Sequence, residues 1–551
     1  MKKQSFLFSS ALLIFSAAAA KLIGALFRIP LANMLGGTGM GYFSGAYGIF
    51  MTVYALSVTG LPTAVAKLTA ENSALERYAN IRRVKSASIA FFSLTGLIFT
   101  TLLIVFAKPF CLASNGVETV PSVLMIAPSI FFCCITSVYR GYYEGLRNMF
   151  PTAISQIIEG IFKLCTGLAL CIYVLNNPSK FDKVCVFFGN CDILAVAAAA
   201  AVLGITFSTA AGTLFLIIRD KLFGDGISKV KIKATDGKNC VDSNYTIIMQ
   251  LLKIAFPVAI GALVTNLTSL IDLVTITKSI EKAIAENPRY FSEISGATNL
   301  SDLPNFMFGS FTGLAVTVFN LIPSFTNMFG KSIIPSISEA FSSNDTCSAA
   351  KNAEKAIFST SLIALPAGLG ICALSKNILE FLFPSKAIET ELSATALSIL
   401  GIAVIFLCIS STAFSILQAA GKPYLPVKIM AAGVAVKLIG NLIFVSIPQL
   451  NIAGAAVSTL LCYIVICIPS IFHMIKLTKT NKRQLFTSIG KLCYCSIMCA
   501  VAANLAKNML TDTIDSILVL FISILVGAIF YIFLGFLLGI FTKSSLKMLI
   551  S

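Results

Sequence analysis

Uninterrupted apolar runs of about twenty residues recur along this chain, Ile89 to Ala107 and Ile517 to Phe541 among them, and they settle the class of fold before any motif is read. A helix needs roughly 20 apolar residues to cross a hydrocarbon core about 30 Å thick, whereas a strand of a membrane barrel alternates apolar and polar residues over about ten. These runs do not alternate. With 57% hydrophobic and only 12% charged residues in a chain of 551, no stretch is left over for a soluble catalytic domain. The expectation is an all-α polytopic membrane protein of about 14 transmembrane helices. The spans fall near 5-29, 41-66, 86-107, 122-139, 151-175, 193-218, 248-277, 309-330, 356-375, 392-417, 424-446, 452-475, 485-509 and 516-541.

An even number of spans places both termini on one side of the membrane. If that side is the cytoplasm, its loops hold most of the 41 Lys and Arg, as in Arg77, Arg82, Arg83 and Lys85 or Lys229, Lys231, Lys233 and Lys238. The outer loops are relatively acidic, with Glu281, Glu286, Glu293 and Asp302 in one of them. The net charge of +17 is then a positive-inside signal, and its spread over many loops implies no nucleic-acid partner. Loop 222-245 is expected inside and loop 281-305 outside. The start, MKKQSFLFSSALLIFSAAAAK, imitates a secretory signal, but the apolar pattern continues through Lys21 to Pro30, so a retained first span is expected. The 16 cysteines lie mostly within spans, where Cys acts as a small apolar residue, and no CxxC pair suggests a metal. Cys185 and Cys191, six apart in an outer loop, are the one candidate disulfide.

The sequence repeats itself. GLRNMFPTAISQIIEGIFKL (145-164) and AAGKPYLPVKIMAAGVAVKL (419-438) share a short polar turn, an aromatic residue, a proline and a final Lys-Leu pair. GLPTAVAKL (60-68) and IIPSISEAF (333-341) are similarly placed. Two six-helix halves of the same orientation followed by two extra helices are expected, with lobes over 1-220 and 248-478, a linker loop over 221-247 and an extension over 479-551. Parallel repeats of this kind enclose a substrate path between the halves.

At YRGYYEGLRNMFPTAISQIIE (139-159), RIPLANMLGGTGMGYFSGAY (28-47), GLPTAVAKLTAE (60-71) and ILQAAGKPYLPVK (416-428) the chain resembles the polysaccharide-biosynthesis and stage V sporulation protein B branch of the MOP exporter superfamily. Lipid II flippases of the MurJ type belong to the same superfamily. The resemblance implies a MATE- or MurJ-like fold and a flippase that carries a polyprenyl-pyrophosphate-linked saccharide, a lipid-linked anion, from the inner to the outer leaflet. It also implies substrate-binding cations on the first helix at Lys21 and, one place displaced, Arg28. Tyr54 stands near where many MurJ proteins carry an arginine.

The residues support an anionic cargo independently. Ionisable groups deep in a membrane are costly and face an aqueous path or one another. Here they are Lys21, Arg28, Glu159, Lys163, Lys253, Asp272, Lys437 and Lys491, an excess of cations that suits a pyrophosphate and not an organic cation. Lys253 and Lys491 are near enough to an interface to snorkel, and Arg28 can equally be an interfacial anchor. Lys21 lies about 22 Å into its helix, where snorkelling is harder. Glu159 and Lys163 are spaced for an i,i+4 ion pair that would neutralise both. Lys437, at the repeat-equivalent position of Lys163 with no such acid beside it, is therefore expected to matter more. Asp272 with Asn266 reads either as a polar contact between helices or as an ion site. The candidate substrate residues are thus Lys21, Arg28, Lys163 and Lys437.

Enzyme motifs fail one by one. FTNMFGKS (325-332) has Phe325 where a phosphate-binding loop needs its first glycine, HExxH and GxSxG do not occur, and His473 is the lone histidine. No cofactor is expected, and transport would draw on the membrane potential, about 2.3 kcal/mol per charge per 100 mV, or on an ion gradient. Cell-wall synthesis proteins are plausible partners. Two other functions compete: a cation-coupled multidrug exporter, which needs acidic residues beyond Glu159 and Asp272, and a membrane-embedded glycosyl- or acyltransferase, which needs a catalytic His or acidic cluster.

Overall fold

A computed structural model of the chain describes residues 6-114, 116-189, 191-225, 242-295, 301-332, 334-343, 345-511 and 514-540. Among the described residues every regular element is helical. The first part of the chain forms α1 (Phe6–Ser57), α2 (Leu61–Ala74), α3 (Tyr78–Ala113), α4 (Val120–Gly145), α5 (Phe150–Asn176), α6 (Pro178–Phe187), α7 (Ile193–Phe223) and α8 (Asn244–Glu286). Short helices follow: α9 (Pro288–Ser295), α10 (Leu303–Ser310), α11 (Val316–Phe319), α12 (Leu321–Ser332) and α13 (Ile334–Ser342), with a π-helical turn at Phe311–Ala315. The chain then builds α14 (Thr346–Leu382), α15 (Ala387–Ala419), α16 (Tyr424–Phe444), α17 (Asn451–Thr478), α18 (Lys482–Leu510) and α19 (Ser516–Leu537).

Thirteen helical stretches among the described residues are long and apolar enough to cross a membrane. The first of them, Ala18–Ala74, is 57 residues long, about 85 Å of helix and more than twice a hydrocarbon core. Helices α1 and α2 together cover the first two expected spans, so the count of about fourteen crossings stands. No loop separates the two spans. The break is a single residue, Gly36, at φ 64 and ψ −170, a backbone region that essentially only glycine enters.

The chain forms two compact units, one made of Met1–Leu35 and Gly39–Val274, the other of Gly36–Thr38 and Thr275–Ser551. Small residues set the spacing inside each. In the first, a Cβ on Gly204 of α7 would lie 2.3 Å from the Cα of Gly167 on α5. Only hydrogen side chains let those backbones meet. Thr136 and Thr213 join α4 to α7 through their hydroxyls at 2.7 Å. In the second unit Gly368 and Gly401 play the same part between α14 and α15. The extra pair α18 and α19 packs on α14, where Leu374, Ala503 and Leu520 form a buried cluster and the Tyr531 hydroxyl donates to the Leu362 carbonyl at 3.0 Å.

The similar segments 145-164 and 419-438 open on the same backbone hydrogen bonds. After α4 the amides of Leu146, Arg147 and Asn148 donate to the carbonyls of Tyr142, Glu144 and Tyr143; after α15 those of Ala420, Gly421 and Lys422 donate to Ile416, Gln418 and Leu417. Both ends are Schellman caps. Arg147 (φ 58) and Gly421 (φ 76) are the left-handed residues at matching places.

Gly36 supplies a prediction. Adding a Cβ there forces an L-residue into a glycine-only conformation and brings the new carbon within 3.0 Å of Lys386 Nζ and 3.1 Å of Glu389 Oε1. Gly36→Ala is expected to cost about 2 kcal/mol or more and to lower the thermal midpoint in detergent. Gly24→Ala, on the same helix with nothing within 4 Å of its Cβ position, should be silent or slightly stabilising. Equal midpoints for the two variants would contradict the strain argument.

Candidate functional site

The seam between α1 and α5 is where the first unit gathers charge. Gly160 and Gly167 lie seven residues apart on one face of α5, and their missing side chains are filled by Ile23 and Phe27 of α1, 3.1 Å and 2.7 Å from the Cβ positions. Lys163 sits between those glycines. Its ammonium lies 4.9 Å from the ring centroid of Phe27 and 5.9 Å from that of Tyr47. The Arg28 guanidinium carbon lies 5.7 Å from the same Tyr47 ring, so the two cations are within about 12 Å of one another. Tyr47 is one rung of an aromatic series: Phe27 to Phe43 (6.0 Å), Phe43 to Tyr47 (6.2 Å), Tyr47 to Phe50 (6.0 Å) and Phe50 to Tyr54 (5.7 Å). A cation over a ring gains about 0.5 to 2 kcal/mol, which helps hold two like charges in the helix bundle. Among the described residues no carboxylate oxygen lies within 4 Å of either cation.

Glu159 is occupied elsewhere. Instead of bonding Lys163 four residues on, its Oε1 meets the Arg140 Nη2 of α4 at 2.8 Å, with side-chain exposures of 17% for Arg140 and 21% for Glu159. Arg140 Nε donates to Ser155 Oγ at 2.9 Å. Gly212 of α7 leaves room for this pair, since a Cβ there would be 2.5 Å from Glu159 Oε1. The expected Glu159–Lys163 pair is therefore corrected: Glu159 takes the guanidinium of the neighbouring helix at 2.8 Å, a strong charge-assisted contact, while Lys163 lies against the Phe27 and Tyr47 rings. With it goes the reason for ranking Lys437 above Lys163.

The other expected residues lie on several helices. Lys21, seven residues before Arg28 on α1, shares its face but is exposed. Asn266 donates to its own helix at the Ala262 carbonyl, 2.9 Å away. Asp272 is buried in the first unit, and Lys437 is buried on α16 of the second. Lys253 and Lys491 are exposed. Residues 325-332 lie in the helix Leu321–Ser332, not in a loop. His473 Nδ1 donates to the Pro469 carbonyl one turn back at 2.9 Å. Cys185 and Cys191 are free thiols. Burial, then the neighbouring Cys185 and Glu118, pushes the Cys191 thiol up to about 11. Most of loop 222-245 and the 296-300 part of loop 281-305 lie outside the described residues.

The YRGYYEG motif is a clasp. Gly141 and Gly145 press α4 onto α2, where a Cβ would be 2.5 Å from the Pro62 carbonyl oxygen and 2.6 Å from that of Ala66. The Tyr142 hydroxyl donates to Asp225 at 3.0 Å and that of Tyr143 to Asp220 at 2.7 Å. Arg82 and Lys85 of α3 pair with Asp225 and Asp220 respectively. Arg82, Lys85, Asp220 and Asp225 line a cavity of about 550 Å³, as many anions as cations. One turn further out, Asp242 receives Asn80 Nδ2 at 2.7 Å and Arg77 Nη2 at 3.0 Å. Burial raises the Asp242 carboxyl, but the Asn80 and Arg77 hydrogen bonds and the Arg77 charge outweigh it, so it titrates below the ordinary carboxylate range. A depressed carboxyl contributes stability above its unfolded value, near 4, that is lost as pH falls through its folded one. Attachment of the α8 start to α3 should therefore be constant from pH 8 to 5 and weaken below about pH 4. Limited proteolysis near residue 242 measures this, and a loss already complete at pH 6 would contradict it.

The family described as "Polysaccharide biosynthesis protein" matches residues 7–341, well over half of the chain. The chain belongs to this family. It lies on the MurJ-like branch of the MOP superfamily, and the MatE family matches residues 310–443. Among curated relatives, "Lipid II flippase MurJ" of Bacillus subtilis (strain 168) is 24% identical over 542 residues, 95% of this chain and 94% of that protein. "Stage V sporulation protein B" of the same organism is 25% identical over 340 residues, 62% of this chain and 59% of that protein. Among solved structures, one of lipid II flippase MurJ in an inward closed conformation superposes with a TM-score of 0.66 at 16% identity, covering 96% of this chain and 98% of that one. An inward-facing MATE-family multidrug transporter superposes at 0.60 and 14% identity, over 84% and 96%. This polysaccharide-biosynthesis family member is accordingly a multi-pass membrane protein and a transporter or flippase. The aromatic series was overlooked in the sequence, although FSGAYGIFMTVY carries it openly at 43, 47, 50 and 54.

Proposed function

We propose that the protein flips a polyprenyl-pyrophosphate-linked saccharide, lipid II or a related cell-envelope precursor, from the inner to the outer leaflet by alternating access. One observation carries this reading: Arg28 and Lys163 converge on Tyr47 with no carboxylate within 4 Å among the described residues, while Glu159 is committed to Arg140. Two unneutralised cations in a membrane helix bundle attract a multiply charged anion. The rings beside them offer apolar faces to an isoprenoid. Lys21, on the Arg28 face of α1, and Lys437, at the repeat position of Lys163 in the second unit, are proposed as further substrate-binding cations. The names of the relatives point the same way.

Both termini are assigned to the cytoplasm, where the excess of Lys and Arg in the corresponding loops favours them. The interior-negative potential would then drive a net anion outward, so no nucleotide hydrolysis is needed. The test is direct. Protein in vesicles loaded with fluorescent lipid II in the inner leaflet should expose the label to an impermeant quencher, and depletion in cells should raise inner-leaflet lipid-linked saccharide. A protein that leaves both unchanged does not flip this substrate.

A further inference from the structure

The second unit contains a basic cavity with no part in the site described above. It measures about 270 Å³ and is lined by the amino-terminal parts of α14 and α18 and by the residues just after α19. Lys351, Lys355 and Lys491 line it, with Glu354, Gln484 and Ser488. Among the described residues none of the three lysines lies within 4 Å of a carboxylate, Glu354 included. Lys491 Nζ donates to the Leu538 carbonyl, next in sequence to the lining residues Gly539 and Ile540, at 3.3 Å. Three ammonium groups against one carboxylate leave a positive site, and the amide of Gln484 and hydroxyl of Ser488 add neutral donors suited to oxyanions.

The surroundings are those of an amphiphile, not of a free ion. From Lys491 a stripe of exposed apolar residues continues down α18: Tyr494, Ile497, Val501 and Leu505, spaced three or four residues apart on one face. Phe533, Phe536 and Leu537 on α19 are equally exposed. A phosphate held by the lysines would leave its acyl chains lying along this surface, the arrangement by which basic pockets between transmembrane helices hold anionic headgroups.

We propose that this cavity binds the phosphate headgroup of an anionic membrane phospholipid. It is a structural lipid site of the C-terminal helix pair, separate from the path through the first unit and independent of what that path carries.

Native mass spectrometry of the full chain in detergent tests this, with phosphatidylglycerol, phosphatidylcholine of matched chains, and inorganic phosphate as probes. Retained phosphatidylglycerol should exceed phosphatidylcholine at least tenfold on the parent protein and fall to the phosphatidylcholine level in Lys351→Gln/Lys355→Gln/Lys491→Gln. Glu354→Gln, which removes the one acid, should increase retention instead, so the assignment does not rest on a variant that might misfold. Unchanged phosphatidylglycerol retention in the triple variant overturns the proposal. Phosphate displacing the lipid at low millimolar concentration, or binding with the same lysine dependence while the lipid does not, assigns the cavity to the free ion and overturns it as well.

Discussion

Reversing the charge at Arg28 or at Lys163 is expected to abolish flipping. Each cation lies within 6 Å of the Tyr47 centroid. Removing one unit charge about 6 Å from an anion, at an effective dielectric of about 20, costs about 3 kcal/mol, roughly a hundredfold. Reversal does more, because the new carboxylate pairs with the remaining cation and takes the net charge from two to zero. Arg28→Glu and Lys163→Glu should therefore lose flipping by well over a hundredfold, neutral Arg28→Gln and Lys163→Gln by about a hundredfold, and Arg28→Lys and Lys163→Arg by less than tenfold. The vesicle quenching assay reads all six, with thermal midpoints confirming that the proteins are folded. Glu variants that flip within threefold of the parent rate would remove the site assignment.

Breaking the Arg140–Glu159 pair should act on folding instead of on transport specificity. Both side chains are largely buried, and removing one partner of such a pair costs about 3 to 5 kcal/mol because it strands the other charge. Arg140→Ala and Glu159→Ala should each lower membrane yield and thermal midpoint severely. Arg140→Met/Glu159→Leu, which fills the same volume without charge, should recover most of the loss. The same experiment separates the flippase from a cation-coupled exporter. If Glu159 carried protons or cations, Glu159→Gln and the apolar double variant would be stable and inactive; as a structural pair, the double variant should flip at near the parent rate.

The membrane architecture could be read from the sequence because its cause is one-dimensional: an apolar run long enough to cross a bilayer has few other folds open to it. The likeness of 145-164 to 419-438 was equally legible, since Arg147 and Gly421 close matching caps and the flanking residues that form them recur. Gly36 was not. A glycine pair between two spans reads as a turn, and only the backbone shows one residue taking the whole bend. At the site, Arg28 and Lys163 were found as ionisable residues in apolar surroundings, but their shared ring could not be, because contact across helices leaves no trace in spacing. Glu159 shows the same limit: the acid four residues before a lysine is visible, whereas the stronger competitor, Arg140, falls just beyond the expected span 122-139. Helix α4 continues to Gly145 and carries it inside.

The bend at Gly36 also bears on how such a chain is made. Residues Gly36–Thr38 group with the second unit, while the helical arms before and after them belong to the first. The Gly37 amide donates to Glu389 at 3.2 Å, and Asn305 Nδ2 donates to the Thr38 carbonyl at 3.0 Å. A ribosome delivers these three residues some 240 positions before Thr275 opens the rest of their unit, so the second unit cannot be completed from its own contiguous segment. Fragments split at 274/275 should accordingly fail when made singly and reassemble only when produced together, the amino-terminal piece serving as a template that brings along the corner its companion lacks.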